Sequence, residues 1–424
     1  MSDRLPPQTK FIVGNEACER LSFYGVIAIL TGYVTHLLGG GDSAGAEAKE
    51  IVHWFRSAVY FLPLLGAWVA DRLWGRYRTI LWISLAYCAG HAVLSLTEGS
   101  KSGLFFGLAL LAIGSGGIKP CVSAFVGDQF GPERQLQLPR IYGLFYWSIN
   151  FGSFFAFAFI PLVREKFGYS VAFAIPGVAM ALATFIFWAG RATYVKIPPT
   201  RHSPPVDAAT RAADRAVLWR IVAVFAPITV FWALFDQQNT TWVQQGEKMR
   251  SFPIGSYVVN GETMQSVNAL YVMLFIPIFT LWLYPWLTRR GIRLTALRRM
   301  GTGMVLAAVA FIVSAIVQQQ IENGAQLSVA WQLVQVGIIT AGEVLLSATG
   351  LEFAFAQAPP RLKSTIMSLW LMTVALGNVL TAVVTRFNAE VLKASGAMEL
   401  LFYAALMLLV SFVFAGIARR FPEE

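Results

Sequence analysis

Twelve apolar runs of about 20 residues or a little more recur along the chain, at 11–38, 51–71, 79–97, 103–126, 138–163, 170–190, 217–245, 265–288, 295–317, 327–358, 363–388 and 396–418. An α-helix of that length crosses about 30 Å of hydrocarbon. Inside lipid the backbone must satisfy its own hydrogen bonds, which leaves helices as the form such runs take. The pattern therefore predicts an all-α polytopic membrane protein with twelve transmembrane helices. A mean hydropathy of +0.58 agrees with this, as do 56% hydrophobic and only 13% charged residues. No cleavable signal peptide is read ahead of the first run, so the first helix is expected to act as the insertion signal.

The net charge of +10 would suit a nucleic-acid binder, but its distribution points elsewhere. With a cytoplasmic N-terminus, 22 of the 33 Lys and Arg fall in cytoplasmic segments and 9 on the opposite side. The remaining two, Arg20 and Lys119, lie well inside runs. The positive-inside rule then puts both termini in the cytoplasm, and the basic balance becomes a topology signal with no nucleic-acid partner. Cys18, Cys88 and Cys121 all lie in apolar runs, so neither a disulfide nor a zinc framework is expected. The four histidines lack HExxH spacing.

The chain reads as two halves. Residues 1–192 form one six-helix bundle and 217–424 the other. Between them, 193–216 is a basic, Pro-rich cytoplasmic linker carrying Pro198, Pro199, Pro204 and Pro205. Gly66-Ala-Trp-Val-Ala-Asp-Arg-Leu-Trp-Gly-Arg-Tyr-Arg78 joins runs two and three, and Leu287-Thr-Arg-Arg-Gly-Ile-Arg293 joins runs eight and nine. Gly75 aligns with Gly291 at an offset of 216 residues. The first copy resembles the Asp-Arg-x-x-Gly-Arg loop of major facilitator transporters. That resemblance implies a cytoplasmic latch made by Asp71, Arg72 and Arg76, and parallel six-helix repeats with a site at the midplane.

Charges inside the runs mark the candidate site. Glu16, Glu19 and Arg20 sit at i, i+3 and i+4 of the first run, with Tyr24 one turn on. Ionised groups facing lipid cost several kcal/mol, so this stripe must look into protein or a water-filled cavity. The repeat offset takes Arg20 to Asp236, and an offset of 224 takes Lys119 to Glu343. Opposite charges are thus expected on repeat-related helices lining one central cavity. A purely structural pairing is the competing reading, which buried ion pairs serve poorly. Tyr60, Tyr146, Asn150, Trp232, Asn268 and Trp370 gather on the same helices. Cationic, anionic and aromatic walls together suit a short zwitterion.

Several motifs resemble those of the proton-coupled oligopeptide transporters (POT/PTR) of the major facilitator superfamily. They are Glu16-x-x-Glu19-Arg20 with Tyr24-Gly25; Gly116-Gly-Ile-Lys119-Pro120; and Phe145-Tyr146-Trp-Ser-Ile-Asn150-Phe-Gly152-Ser153. Phe231-Trp232-Ala-Leu-Phe-Asp236-Gln237-Gln238, Glu352-Phe353, Ala358-Pro359, Lys363-Ser364 and Trp370-Leu371 look like the animal intestinal peptide transporter. The resemblance implies that Glu343, with Ser347 one turn on, meets the peptide amine, and that Arg20 and Lys119 meet its carboxylate. Tyr24, Tyr60, Tyr146, Asn150, Trp232, Asn268 and Trp370 would line the pockets. Glu16, Glu19, Arg20, His53, Asp236 and Glu343 would handle protons.

Ile27 stands where many members keep a second arginine, and Phe23 replaces the first of a Tyr-Tyr pair. The linker is too short for the two extra helices of many bacterial members. The implied function is proton-driven symport of di- and tripeptides by a monomer in the plasma membrane, the bacterial inner membrane, with protons in place of a cofactor. The alternatives are transport of nitrate or another small solute, a non-transporting peptide sensor and, less well supported, an intramembrane hydrolase. No nucleophile or metal set favours an enzyme.

Overall fold

The computed structural model describes residues 5–39, 42–199, 207–239, 241–254, 257–259, 264–292 and 295–421. A helix lies over each of the twelve apolar runs. The first four are α1 (Thr9–Leu37), α2 (Asp42–Val69), α3 (Arg76–Leu96) and α4 (Lys101–Asp128). The fifth and sixth runs share α5 (Leu138–Ala189), which turns at Gly168, where φ is 83° and ψ 177°. Glycine enters that conformation without a Cβ clash.

α6 (Ala208–Phe235) and α7 (Thr241–Glu247) share the seventh run. The backbone tightens into a 3-10 turn at Asp236–Asn239 after α6 ends. α8 (Gln265–Ile278) and α9 (Tyr284–Arg289) share the eighth run, and a π-helical turn at Phe279–Leu283 follows Pro277. α10 (Ala296–Glu322), α11 (Gln332–Gln357), α12 (Lys363–Phe387) and α13 (Gly396–Arg419) complete the chain. Among the described residues nine helical stretches are long and apolar enough to cross a membrane, one of them the 61-residue stretch Pro132–Ala192 that contains the turn at Gly168.

Two features depart from the sequence reading. The second part of the linker is helical, because α6 begins at Ala208. Ala-Ala-Thr-Arg-Ala-Ala-Asp-Arg-Ala favours helix, and Asp207 caps it by accepting the Thr210 N–H at 2.8 Å. Residues 200–206, with Pro204 and Pro205, lie outside the described residues. The second feature is a hairpin between α7 and α8. β1 (Phe252–Ile254) pairs antiparallel with β2 (Tyr257–Val259), Phe252 opposite Val259. Met249, Val259, Met264, Val317 and Val329 form a small core beneath it.

The chain divides into two compact units. One is Met1–Ala212 with Ala354–Met372, and the other is Ala213–Phe353 with Thr373–Glu424. In the first, α5 packs on α1 where Gly152 lets the helices close. A Cβ at 152 would overlap the Ala17 carbonyl and come within 2.8 Å of the Arg20 Cβ. In the second, Gln245 on α7 is a buried amide hub. It donates to the Ser314 carbonyl of α10 at 3.0 Å and accepts from Gln335 of α11 at 2.9 Å.

The α2–α3 corner in the first unit is a charge cluster. Gly75 and Gly291 turn the two repeat-related loops with φ of 77° and 76°, a region that favours glycine. Arg76 opens α3 with its side chain buried. It donates to Asp128 at 2.7 Å, to Asp71 at 3.1 Å, to the Ser364 hydroxyl at 2.8 Å and to the Pro360 carbonyl at 3.2 Å. Asp71 in turn accepts the Thr365 N–H at 3.1 Å, in the first turn of α12. A carboxylate is favourable at that end of a helix dipole. Arg72 points away and is exposed, so Asp128 stands in this cluster where Arg72 was expected.

These packing features yield two expectations. Asp128→Ala leaves a buried guanidinium short of a partner and should cost about 3 kcal/mol or more, whereas Arg72→Ala should stay within about 0.5 kcal/mol. Thermal unfolding in detergent, followed by tryptophan fluorescence, should show a large fall for the first and none for the second. Gly152→Val should cost about 1–3 kcal/mol by overpacking. Gly416→Ala, with no atom within 4 Å of the added carbon, should leave the same transition unmoved.

Candidate functional site

In the first unit the stripe on α1 is buried together with its neighbours. Glu16, Glu19 and Arg20 are 3%, 1% and 6% exposed. The Arg20 Nε lies 2.9 Å from Glu16, and its Nη2 lies 2.5 Å from Glu19. The i, i+4 spacing that made the stripe visible in the sequence also lets Glu16 reach Arg20 along the helix. Arg20 is therefore engaged by two carboxylates of its own helix.

Lys119, on α4, is placed differently. Its Nζ sits 3.8 Å from the centre of the Phe23 ring and 5.6 Å from that of Tyr60. A cation over a ring face is held by the ring quadrupole, a weaker hold than a carboxylate gives. Among the described residues no carboxylate lies within ion-pair distance of Lys119, though Glu16 and Glu19 are within electrostatic reach. Phe23, read from the sequence as a lost hydroxyl, here supplies the ring that carries the ammonium. Tyr24 packs on Phe157 at 5.6 Å. Asn150 is buried, and its amide donates to the Tyr146 carbonyl one turn back at 3.0 Å. Trp370 is also in this unit, 3% exposed.

The second unit holds the anionic group. Glu343 on α11 is 4% exposed and accepts from the Asn268 amide of α8 at 2.8 Å. The same amide donates to Thr340, one turn before, at 2.9 Å. Asn268 thus fixes the carboxylate, and Thr340 is a partner that sequence reasoning missed. Ser347 is buried one turn beyond Glu343, its hydroxyl without a hydrogen-bond partner among the described residues. Trp232 is buried on α6. Gly377 leaves room for it, since a Cβ there would meet the Trp232 Cβ at 2.5 Å. Asp236 opens the 3-10 turn after α6 and is half-buried. His53 belongs to α2, and its side chain lies outside the described residues. Arg20 and Lys119 are in one unit, Asp236 and Glu343 in the other.

Another pair was also missed. Arg299, near the start of α10, donates to both oxygens of Glu352 on α11, at 2.9 and 2.8 Å. Asp128 and Glu352 stand 224 residues apart, the spacing that links Lys119 to Glu343. Applying that offset to Asp128 would have found it.

A sequence model described as "POT family" matches residues 77–213 and 203–401. Peptide transporter family 1 of Drosophila melanogaster is 37% identical over 365 residues, 76% of this chain and 48% of that protein. Solute carrier family 15 member 1 of Homo sapiens is 34% identical over 390 residues, 78% of this chain and 54% of that protein. The chain spans about half the length of the curated relatives it matches. Two solved structures are similar over nearly their whole length. An auto inhibited POT family peptide transporter has 37% identity and a TM-score of 0.72, over 99% of this chain and 98% of that one. The POT family transporter PepTSo has 38% identity and a TM-score of 0.73, over 98% of each chain. With the motif residues buried as a charged stripe on α1, a lysine on α4 and an oriented carboxylate on α11, and with these neighbours carrying the major facilitator fold, the chain belongs to the POT family.

Proposed function

We propose that the chain is a transporter and not an enzyme, and that it carries di- and tripeptides into the cell together with protons. The observation that carries this reading is that each unit buries one of the two charge signs a zwitterion needs. Lys119 rests on aromatic rings rather than on a carboxylate, and Glu343 is oriented by Asn268. The names of the curated relatives, a peptide transporter among them, support the substrate class. In this reading Lys119 receives the peptide carboxylate and Glu343, with Ser347, receives its amine. Tyr24, Tyr60, Tyr146, Asn150, Trp232, Asn268 and Trp370 line the peptide. Nitrate is disfavoured because Glu343 would repel it.

Proton coupling follows from the α1 triad. Two carboxylates and one guanidinium leave a net negative charge that Lys119 balances. A proton taken by Glu16 or Glu19 cancels one carboxylate and loosens its hold on Arg20. The guanidinium then becomes a second partner for the peptide carboxylate. His53, Asp236 and Glu343 are the further proton-accepting groups of this scheme. One proton crossing 100 mV supplies about 2.3 kcal/mol. The protein would act as a monomer in the plasma membrane, with twelve crossings and both termini cytoplasmic.

Uptake of labelled dialanine into proteoliposomes, with and without an inward proton gradient, tests the reading. Gradient-driven accumulation is expected, and Lys119→Ala or Glu343→Ala should abolish it. Nitrate uptake without peptide uptake, or peptide binding without any uptake, would overturn it. Competition tests the two ends separately. Charge-assisted hydrogen bonds contribute about 1.5–3 kcal/mol, so N-acetyl and C-amide dialanine should each compete roughly ten- to a hundred-fold less well than the free dipeptide. Equal competition would remove the zwitterion model.

A further inference from the structure

Behind the α1 stripe, the interior of the first unit holds a second set of polar groups that the transport scheme leaves unused. Ser22 on α1, Ser84, Tyr87 and His91 on α3, and Ser115 on α4 are each 0–1% exposed, in a bundle otherwise packed with hydrocarbon. His91 Nε2 lies 2.7 Å from the Ser22 hydroxyl. Its ring stacks on Tyr87, with centroids 5.0 Å apart and planes at 21°. The Tyr87 hydroxyl neighbours those of Ser22 and Ser115 and lies within electrostatic reach of Glu19 and Arg20. It completes a hydrogen bond to neither serine.

Glycines make the room. A Cβ at Gly114 would collide with Tyr87, and one at Gly177 would reach the His91 Cβ at 3.0 Å. Among the described residues, His91 Nδ1, the Ser84 hydroxyl and Glu19 Oε1 have no hydrogen-bond donor or acceptor in place, while Glu19 Oε2 is held by Arg20. Each buried polar group left so would cost about 1–3 kcal/mol. Native interiors remove that cost with buried water, provided two to four polar partners surround it.

We infer that this cluster is an internal hydrated site linking the Glu19 carboxylate to the His91 imidazole, with His91 as a proton-holding residue of the coupling machinery. The inference rests on the proton-coupled reading above. In the neutral ring Nε2–H donates to Ser22, and the Nδ1 lone pair is the acceptor. A proton passed from Glu19 through water and the Tyr87, Ser22 and Ser115 hydroxyls adds to Nδ1. Glu19 is left as carboxylate, and the ring becomes imidazolium with its Ser22 bond intact. His91 can therefore gain and lose a proton without breaking the contact that positions it. The charged and titratable groups on the surrounding helices are Glu19 and Arg20 on α1, Tyr87 and Cys88 on α3, and Lys119 one turn past Ser115 on α4. α5 presents Gly177, which has no side chain. An imidazolium here would be stabilised by Glu19 and opposed by Arg20 and Lys119, so it would be a short-lived holder of the proton.

His91→Gln tests this, because glutamine can keep the bond to Ser22 but cannot take a proton. In proteoliposomes of the full chain, exchange of labelled dialanine at equal pH should stay within about twofold of wild type, as should the thermal midpoint. Uptake driven by the pH gradient should fall by roughly tenfold, the weight of one pKa unit in a protonation equilibrium, and its pH profile should shift. Driven uptake and pH profile superimposable on wild type would overturn the inference. So would a parallel loss of exchange and thermal midpoint, which would mark His91 as structural.

A second measurement does not need transport. In protein labelled with nitrogen-15 histidine, the His91 signals, assigned by their absence in His91→Gln, should move with pH. Glu19→Gln should displace their midpoint by about half a unit or more. Signals that ignore Glu19→Gln would overturn the link. If wild type fails to accumulate dialanine, the proposed function fails instead, and this second measurement alone decides the fate of the hydrated site.

Discussion

A charge buried among hydrocarbon side chains costs several kcal/mol unless partners surround it, and much of this molecule follows from where that cost is met. On α1 it is met largely locally, since Arg20 is ion-paired with both Glu16 and Glu19 within little more than one turn of helix. The local pairing leaves neighbouring helices free to supply small residues. Gly152 brings α5 against the Arg20 backbone. At Lys119 the cost is met only in part, by ring faces and by the distant field of the two glutamates. At Glu343 the Asn268 amide contributes a hydrogen bond to the carboxylate. In the proposed function an ammonium held by ring faces, as at Lys119, is where an incoming carboxylate would gain most.

The polar groups away from these charges follow a second rule, that each buried donor or acceptor needs a partner. The Gln245 hub in the second unit satisfies its amides with other amides and backbone carbonyls, which ties α7 to α10 and α11. The cluster around His91 does not close on itself in that way. Both are made of uncharged groups in an apolar bundle, and both keep open valences, the first at Gln335 Oε1 and the second at His91 Nδ1 and the Ser84, Tyr87 and Ser115 hydroxyls. The more nearly complete network rigidifies, whereas the less complete one invites water.

Much of this was legible in the sequence. The apolar runs located the helices because a span has to be long and continuous, and the ionisable residues inside them marked a candidate site because their burial is costly. The repeat offset aligned Gly75 with Gly291, and both have a positive φ. What stayed hidden was of another kind. Asn268 and Thr340 are common uncharged residues whose importance comes only from the carboxylate they touch. The strands at 252–254 and 257–259, three residues each, are too short to carry a periodicity. The linker's helical second part lay under an assignment drawn from prolines, although the alanines after Asp207 argued for helix. Asp128 was concealed by its position at the end of an apolar run, where a carboxylate reads as an interfacial residue.

The corner that holds Asp128 also differs from its repeat in the second unit. Each half pairs an arginine at the start of one helix with a carboxylate at the end of the next, Arg76 with Asp128 and Arg299 with Glu352. In the second unit both oxygens of Glu352 meet one nitrogen of Arg299, with the Tyr284 ring 5.5 Å away. In the first unit Arg76 divides its donors among Asp128, Asp71, Ser364 and Pro360, and Asp71 spends its remaining oxygen on the first turn of α12. The extra carboxylate, Asp71, is the chemical difference between the two corners. It gives the first corner a spare acceptor, and a helix N-terminus is the natural donor for one. Residues 354–372, which belong by repeat to the second half, group with the first unit, the unit that holds this corner. One aspartate, present in one loop and missing from its copy, distinguishes the two corners.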